Sequence, residues 1–200
     1  MAVPLNDAAL DQLFRQARTR NGWEHKAVPE VLIRAVYDLA KMGSTSANCS
    51  PGRFAFLCTR KAKQKLKPFL SAGNVDKTMS APWTVIIATD LRFYEKIPQL
   101  FPHNPGAREW FSHPESAQDN GTRNGTLQGA YLMLAARSLG LDCGPMSGFD
   151  REGVDQAFFA KDPEMQYWKS NFLCNIGFGD DTGLFPRSPR LSFEEACRIW

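Results

Sequence analysis

Two hundred residues, 43% apolar and 22% charged, have the composition of an ordinary globular chain and exclude a disordered or fibrous protein. Twenty-four basic side chains against 21 acidic ones leave a net charge of +3 with the signs interleaved, so no nucleic-acid surface is expected. The longest clean apolar run, residues 83–88, has strand length and falls short of the ~18 residues of a membrane span, so no membrane partner is expected.

Asn6 or Asp7 can cap a first helix, whose apolar stripe is Leu10, Leu13, Phe14 and Ala17 at i, i+3, i+4 and i+7. A polar, turn-forming stretch follows at 18–23. A second helix is predicted after Pro29, with Leu32, Val36 and Leu39 on one face. Residues 43–51 are small and hydroxylated and cannot be core. Residues 54–58 alternate as a strand does, and Lys61, Lys63, Lys65 and Lys67 read as the solvated face of a surface helix. Residues 83–89 read as a strand buried on both faces. Residues 91–119 fit no element: Phe93, Tyr94, Phe101, Trp110 and Phe111 stand among prolines and histidines, as in a lid, a pocket wall, a subunit contact or a loop packed on its own core. Residues 127–139 predict a buried central helix stopped by Gly140, and 172–178 a third strand. Ser192 and Glu195 form a capping box for a last helix. Helices and strands mix without strict alternation, and there is no internal repeat.

Common chemical motifs are missing. No Gly-x-Gly-x-x-Gly joins a strand to a helix, and the acidic pair Asp180 and Asp181 after Gly177-Phe178-Gly179 would repel a pyrophosphate. There is no phosphate-loop lysine, no His-Glu-x-x-His and no Gly-x-Ser-x-Gly. His25, His103 and His113 are scattered, so no metal is expected. Five cysteines, Cys49, Cys58, Cys143, Cys174 and Cys197, contain no Cys-x-x-Cys pair and suggest neither a disulfide framework nor a zinc site. The N-terminus lacks the basic-then-apolar order of a signal peptide, so a cytoplasmic location is expected. If the protein is an enzyme, an organic cofactor carries its reaction.

Five polar clusters stand where elements begin or end. They are Arg18-Thr19-Arg20-Asn21, the run 44–50, Asn74 with Lys77, the run Gly144-Pro145-Met146-Ser147-Gly148, and Arg187 with Arg190. Together they offer guanidinium forks for a phosphate, hydroxyls and amides for a polyol, and a turn that can lie flat against a ring. In this order they resemble the nitroreductase superfamily of FMN-dependent NAD(P)H oxidoreductases. The runs Arg18-Thr19-Arg20-Asn21-Gly22-Trp23, 45–51, 144–150 and 190–196 are most similar to its malonic semialdehyde reductase branch (HadB/RutE type).

The resemblance implies an α+β fold, with a mainly antiparallel sheet flanked by helices, as a single domain over 1–200. It also implies an intertwined homodimer with FMN at the interface and an arm, residues 180–200, that wraps the partner. Arg18, Thr19, Arg20 and Asn21 align with the family's N-terminal phosphate motif, with Ala17 and Asn21 in two basic positions. Arg187 and Arg190 align with its C-terminal basic pair. Ser44, Thr45, Ser46 and Asn48 align with the loop that reaches the shared flavin. Asn74 and Lys77 would address the flavin's polar edge, Lys77 placing positive charge near N1 and the C2 carbonyl. Pro145, Met146, Ser147 and Gly148 would cover one face and offer a backbone N–H to N5. The implied chemistry is ping-pong hydride transfer from NAD(P)H through the flavin, with no protein residue as catalyst. The branch implies reduction of malonic semialdehyde to 3-hydroxypropanoate in pyrimidine degradation, with Arg108 and Arg123 as carboxylate anchors. A broad nitro- or quinone-reductase and a non-catalytic flavin-binding module remain as alternatives.

Overall fold

The computed structural model describes residues 3–200. Asn6 accepts a hydrogen bond from the Ala9 amide and caps α1 (Asp7–Leu10), which runs on as a wider turn over Asp11–Arg15. The short strand β1 (Gly22–Trp23) follows, and Pro29 takes the N-cap position of α2 (Glu30–Ala40). The buried face of α2 is Ile33, Val36 and Ala40, one step round from the expected stripe, and Leu39 points to solvent.

Strands β2 (Gly52–Leu57) and β3 (Trp83–Asp90) are separated by α3 (Arg60–Leu66) and α4 (Val75–Ser80). Residues 93–110 form two turns of 3-10 helix around α5 (Ile97–Leu100). Next come α6 (Pro114–Ser138), β4 (Asp142–Met146), α7 (Arg151–Phe158), β5 (Trp168–Gly177), β6 (Gly179–Asp180) and α8 (Phe193–Ala196). The main sheet has the order β2-β3-β5-β4 with every pair antiparallel, and β1 pairs with β6 in a two-stranded ribbon. This is the expected α+β arrangement of an antiparallel sheet flanked by helices.

Strand β3 is buried on both faces, and the strand's period of two divides its side chains between two cores. Trp83, Val85 and Ile87 meet α2 and α6, while Ile86 and Ala88 meet Leu66 of α3 and Val154 of α7. A third cluster, Phe93, Ile97, Ala107 and Phe111 around Cys49 and Ala117, shows that the aromatic excursion packs on its own small core and, against the expectation for residues 43–51, takes Cys49 into it.

Several expectations need correction. The central helix begins at Pro114 and not near 127, and Leu127 is 43% exposed. Its approach to the sheet relies on Gly121, Gly125 and Gly129, four residues apart. A Cβ at these positions would lie 2.5–2.9 Å from Thr89 or Phe172. Gly144 and Pro145 suggest a turn, but both lie within strand β4. As an edge strand it tolerates a proline that cannot donate to a neighbour. Lys63, read as solvated, is 3% exposed: its Nζ donates to the carbonyls of Thr78, at 2.9 Å, and Ala81 at the end of α4. An ammonium here satisfies helix-terminal acceptors that burial would otherwise leave unpaired.

The Ser192–Glu195 capping box is present in both directions. Beyond Asp180 every residue except Leu184 is exposed, including Phe185, Leu191, Phe193, Ile199 and Trp200. Among the described residues no helix is long and apolar enough to cross a membrane.

Candidate functional site

The N-terminal segment is laid along the outer side of β4. Thr19 bridges to Cys143 in parallel register, and the Arg20 amide donates to the Cys143 carbonyl at 3.0 Å. Gly144 permits this approach, since a Cβ there would stand 2.5 Å from the Arg20 carbonyl oxygen. The two ends of the chain are then tied together. Arg18 Nη2 donates to the Phe185 carbonyl at 2.5 Å, and Arg187 Nη2 donates to the Ala17 carbonyl at 3.0 Å. Between them lies a cavity of about 400 Å³ lined by Arg18, Thr19, Asn21, Arg187, Ser188 and Arg190, and also by Arg137 of α6. No carboxylate lines it. Guanidinium groups gathered with hydroxyls and amides and without an acid form an anion site, and a phosphate dianion suits such donors.

Asn21 links this cavity to the next part of the site. Its Oδ1 lies 3.4 Å from Lys77 Nζ. The backbone of Lys77 is itself fixed, because its carbonyl accepts from Trp23 Nε1 at 3.0 Å and from Asn175 Nδ2 at 3.1 Å. One turn earlier, Asn74 Nδ2 donates to the Gly148 carbonyl at 2.7 Å, and the Ser71 amide donates to the same oxygen at 3.0 Å. The turn after β4 is therefore held by its carbonyl. No protein acceptor among the described residues takes the N–H of Ser147 or Gly148, which leaves two backbone donors for a ligand. Pro145 is half-buried, and Met146 points into the core, where its sulfur accepts from Thr78 Oγ1 at 3.5 Å.

Arg18, Thr19, Asn21, Arg187 and Arg190 thus share one cavity, and Asn74, Lys77 and the run 145–148 continue from it. Arg20 does not join them. Its guanidinium turns toward the ribbon, 2.5 Å from Asp181 and 3.5 Å from Asp142, and donates to the Asp180 carbonyl at 3.0 Å. Its buried Nε has no hydrogen bond despite the nearby Asp142 carboxylate. Of the acidic pair that would repel a pyrophosphate, Asp181 supplies a counter-charge to Arg20 together with Asp142, and Asp180 contributes its backbone carbonyl.

The 44–48 loop stands apart. It enters β2, at the opposite edge of the sheet from β4, about 14 Å away at ordinary strand spacing. Ala47, Asn48 and Ser50 adopt positive φ of 48°, 49° and 41°, which L residues rarely take without support. That support is dense. Thr45 Oγ1 accepts from the Ser50 amide at 3.1 Å, Asn124 Oδ1 accepts from the Ser46 amide at 2.9 Å, and Tyr131 donates to the Ser44 carbonyl at 3.0 Å. Asn48 Nδ2 donates to the Leu100 carbonyl at 2.8 Å. The loop is preorganised, but it does not close the same cavity.

Both expected carboxylate anchors already have carboxylate partners. Arg108 pairs with Glu109 at 2.7 Å and lies over the Tyr94 ring, and Arg123 pairs with Asp119 at 2.7 Å on the exposed side of α6. Three residues escaped the sequence reading. Arg137 lines the anion cavity, and an arginine in a helix's last turn gives no local signal of that. Asn124 and Gln128 are buried polar side chains that hold the 44–52 backbone, Gln128 accepting from the Gly52 amide at 2.6 Å. Their spacing of four on a glycine-rich helix was the available clue. Among the described residues no cluster of metal-ligating side chains occurs.

Residues 14–177 match the family model described as the Nitroreductase family. A protein of Stenotrophomonas maltophilia strain R551-3, provisionally named NADH dehydrogenase/NAD(P)H nitroreductase, is 59% identical over 200 residues, covering all of both chains. A Cupriavidus pinatubonensis protein of the same provisional name is 53% identical over 193 residues, covering 95% of this chain and 96% of its own. The fold is similar to that of a provisionally named nitroreductase of Exiguobacterium sibiricum 255-15, solved in complex with FMN, at TM-score 0.84 and 16% identity with full coverage of both chains. The chain belongs to the nitroreductase family.

Proposed function

We propose that this protein is an FMN-dependent NAD(P)H oxidoreductase. The observation that carries the reading is the acid-free cavity of Arg18, Arg187 and Arg190, joined through Asn21 to Lys77 and to the free N–H groups of 147–148. That sequence of donors has the polarity of a flavin mononucleotide, anionic at one end and planar at the other. When bound, FMN supplies hydride exchange between NAD(P)H and an oxidant. The chain's own part is positioning and electrostatics. Arg18, Thr19, Arg187 and Arg190 would hold the phosphate, and Lys77, steadied by Asn21, would put a positive charge beside the ring's polar edge. Asn74, through the Gly148 carbonyl, would keep the 147–148 amides available to the ring.

The favoured substrate is malonic semialdehyde, reduced to 3-hydroxypropanoate as in pyrimidine breakdown. This rests on the likeness of the runs 18–23, 45–51, 144–150 and 190–196. The engaged state of Arg108 and Arg123 favours a second reading, a broad nitro- or quinone-reductase, because such acceptors need no carboxylate anchor.

The working unit is proposed to be a cytoplasmic homodimer of one-domain chains. The 44–48 loop and the 145–148 turn lie at opposite sheet edges, so two copies are needed to bring one against the other. The arm beyond Asp180 exposes Leu191, Phe193, Ile199 and Trp200, while β2 has an unpaired outer edge beside a groove of about 810 Å³ containing Tyr37, Phe54, Phe56 and Trp83. Apolar surfaces of this kind call for a cover.

An anaerobic titration followed by absorption tests the function. Flavin bands that bleach with NADPH or NADH and return with malonic semialdehyde support the favoured substrate. Return only with nitroaromatics or quinones selects the second reading. Reduced flavin that no acceptor reoxidises supports a non-catalytic binding module, and a protein that takes up no FMN overturns the proposal.

A further inference from the structure

The cavity is lined by one arginine that comes from neither chain end. Arg137 stands in the last turn of α6 and lines the same space as Arg18, Arg187 and Arg190. Its own protein contacts leave most of its donors unused. Nη1 reaches the Leu13 carbonyl at only 3.5 Å, the long limit of a hydrogen bond, and no carboxylate lies within ion-pair distance among the described residues. Asp142 lines a neighbouring space with Arg137, but its two oxygens are turned to Arg20, at 3.5 Å, and to the Gly179 amide, at 3.0 Å. The position is nevertheless fixed. The Arg137 carbonyl accepts from Gln12 Nε2 at 2.6 Å, which ties the end of α6 to the N-terminal helix.

A cation in a helix's last turn is favoured by the helix dipole. The dipole does not account for its lining the same cavity as three other arginines. Four like charges around about 400 Å³ repel one another unless an anion sits among them. Three of the four come from the chain-end segments 17–20 and 185–190. Arg137 comes from the rigid central helix, so it is the donor whose position owes least to those segments.

We propose that Arg137 is a phosphate-binding residue of the flavin site and that it sets the preference for flavin carrying a phosphate over flavin without one. The proposal rests on the FMN reading above. The dianionic phosphate is shared among Arg18, Arg187, Arg190 and Arg137, and Arg137 supplies charge-assisted N–H donors at its inner side.

The test measures FMN and riboflavin binding to flavin-stripped protein by quenching of flavin fluorescence, for the native chain and for Arg137→Ala, Arg137→Lys and Arg187→Ala. Arg137→Ala is expected to weaken FMN roughly 10–100-fold while changing riboflavin less than about threefold, the loss ordinary for charged hydrogen bonds. Arg137→Lys should recover part of the FMN affinity, because it restores charge without the planar fork. If Arg137 only braces α1 against α6, both flavins weaken together, or neither changes, and the proposal is overturned. If Arg137→Ala fails to fold, Arg137→Lys decides: an unchanged FMN-to-riboflavin ratio overturns the proposal and a reduced ratio supports it. Loss of the ratio in Arg187→Ala but not in either Arg137 variant refutes Arg137 while leaving the FMN site in place. A native protein that binds FMN no better than riboflavin refutes the phosphate site itself.

Discussion

Gly144→Ala tests the idea that the N-terminal segment and the turn after β4 are held in register by backbone contact. The added methyl would stand 2.5 Å from the Arg20 carbonyl oxygen, where ordinary contact begins near 3.4 Å. Relief requires a displacement of about 0.9 Å between the segment and the strand. A shift of that size stretches the 3.0 Å bond from the Arg20 amide to the Cys143 carbonyl beyond useful range. Losing that bond costs about 1 kcal/mol, and overpacking adds about 1–3 kcal/mol. A total of about 2–4 kcal/mol corresponds to a fall in Tm of roughly 5–15 °C for a chain of this size. FMN affinity should fall in the same variant, because Arg18 and Thr19 move relative to the 145–148 turn. Gly73→Ala is the control: nothing lies within 4 Å of a Cβ there, and both quantities should stay put. Thermal melts with and without FMN, together with a binding isotherm, decide the matter. A Gly144→Ala protein that melts within 2 °C of the native chain and binds FMN equally would show that the contact is not tight.

Two further outcomes follow from the fold. Lys63, pushed down to about 8 by burial, loses its proton in the native chain well before the unfolded chain does near 10.5. Native stability relative to Lys63→Met should therefore be flat below pH 8 and rise between about 8 and 10.5, by up to about 3 kcal/mol. Cys49, pushed up to about 11 by burial, acts in the opposite sense from pH 9 upward, but it is present in both proteins and cancels in the difference. Urea midpoints at several pH values check the slope, and a constant difference would refute it. Removal of residues 191–200 leaves Arg187 and Arg190 in place and takes away Leu191, Phe193, Ile199 and Trp200. The shortened chain should sediment as a monomer or a weakened dimer, whereas a native chain that is itself monomeric would sink the arm's proposed role.

Much of the fold was legible because local chemistry and tertiary placement agreed. Asn6 as cap, Gly140 as helix stop at φ +78° and the Ser192–Glu195 box are local hydrogen-bond solutions that the chain needs in any context. The double burial of β3 followed from its unbroken apolar run. Illegible elements were those where tertiary contact overrides local preference. Gly144 and Pro145 would make a turn in isolation, and they make a strand here because the neighbouring segment demands a residue without a side chain and an edge without a donor. Lys63 sits at a lysine-rich period-two pattern that favours solvent, and only the carbonyl ends of α4, nearby in space, explain its burial.

The candidate site shows the same division more sharply. Arg18, Arg187 and Arg190 were readable as phosphate ligands from family-like order, and the structure places them around one cavity although the chain separates them by nearly its whole length. Arg20 belongs to the same motif, yet it is turned away from the cavity toward Asp142 and Asp181. Arg18 and Arg20 are two residues apart and would share one face of an ideal strand, so neither the motif nor the alternation separates their roles; the Asp142 and Asp181 carboxylates beside Arg20 do. Arg137 is the converse case. It lies far from every matched run, in a helix whose sequence signal is packing and a glycine stop, and it lines the same cavity as Arg18, Arg187 and Arg190.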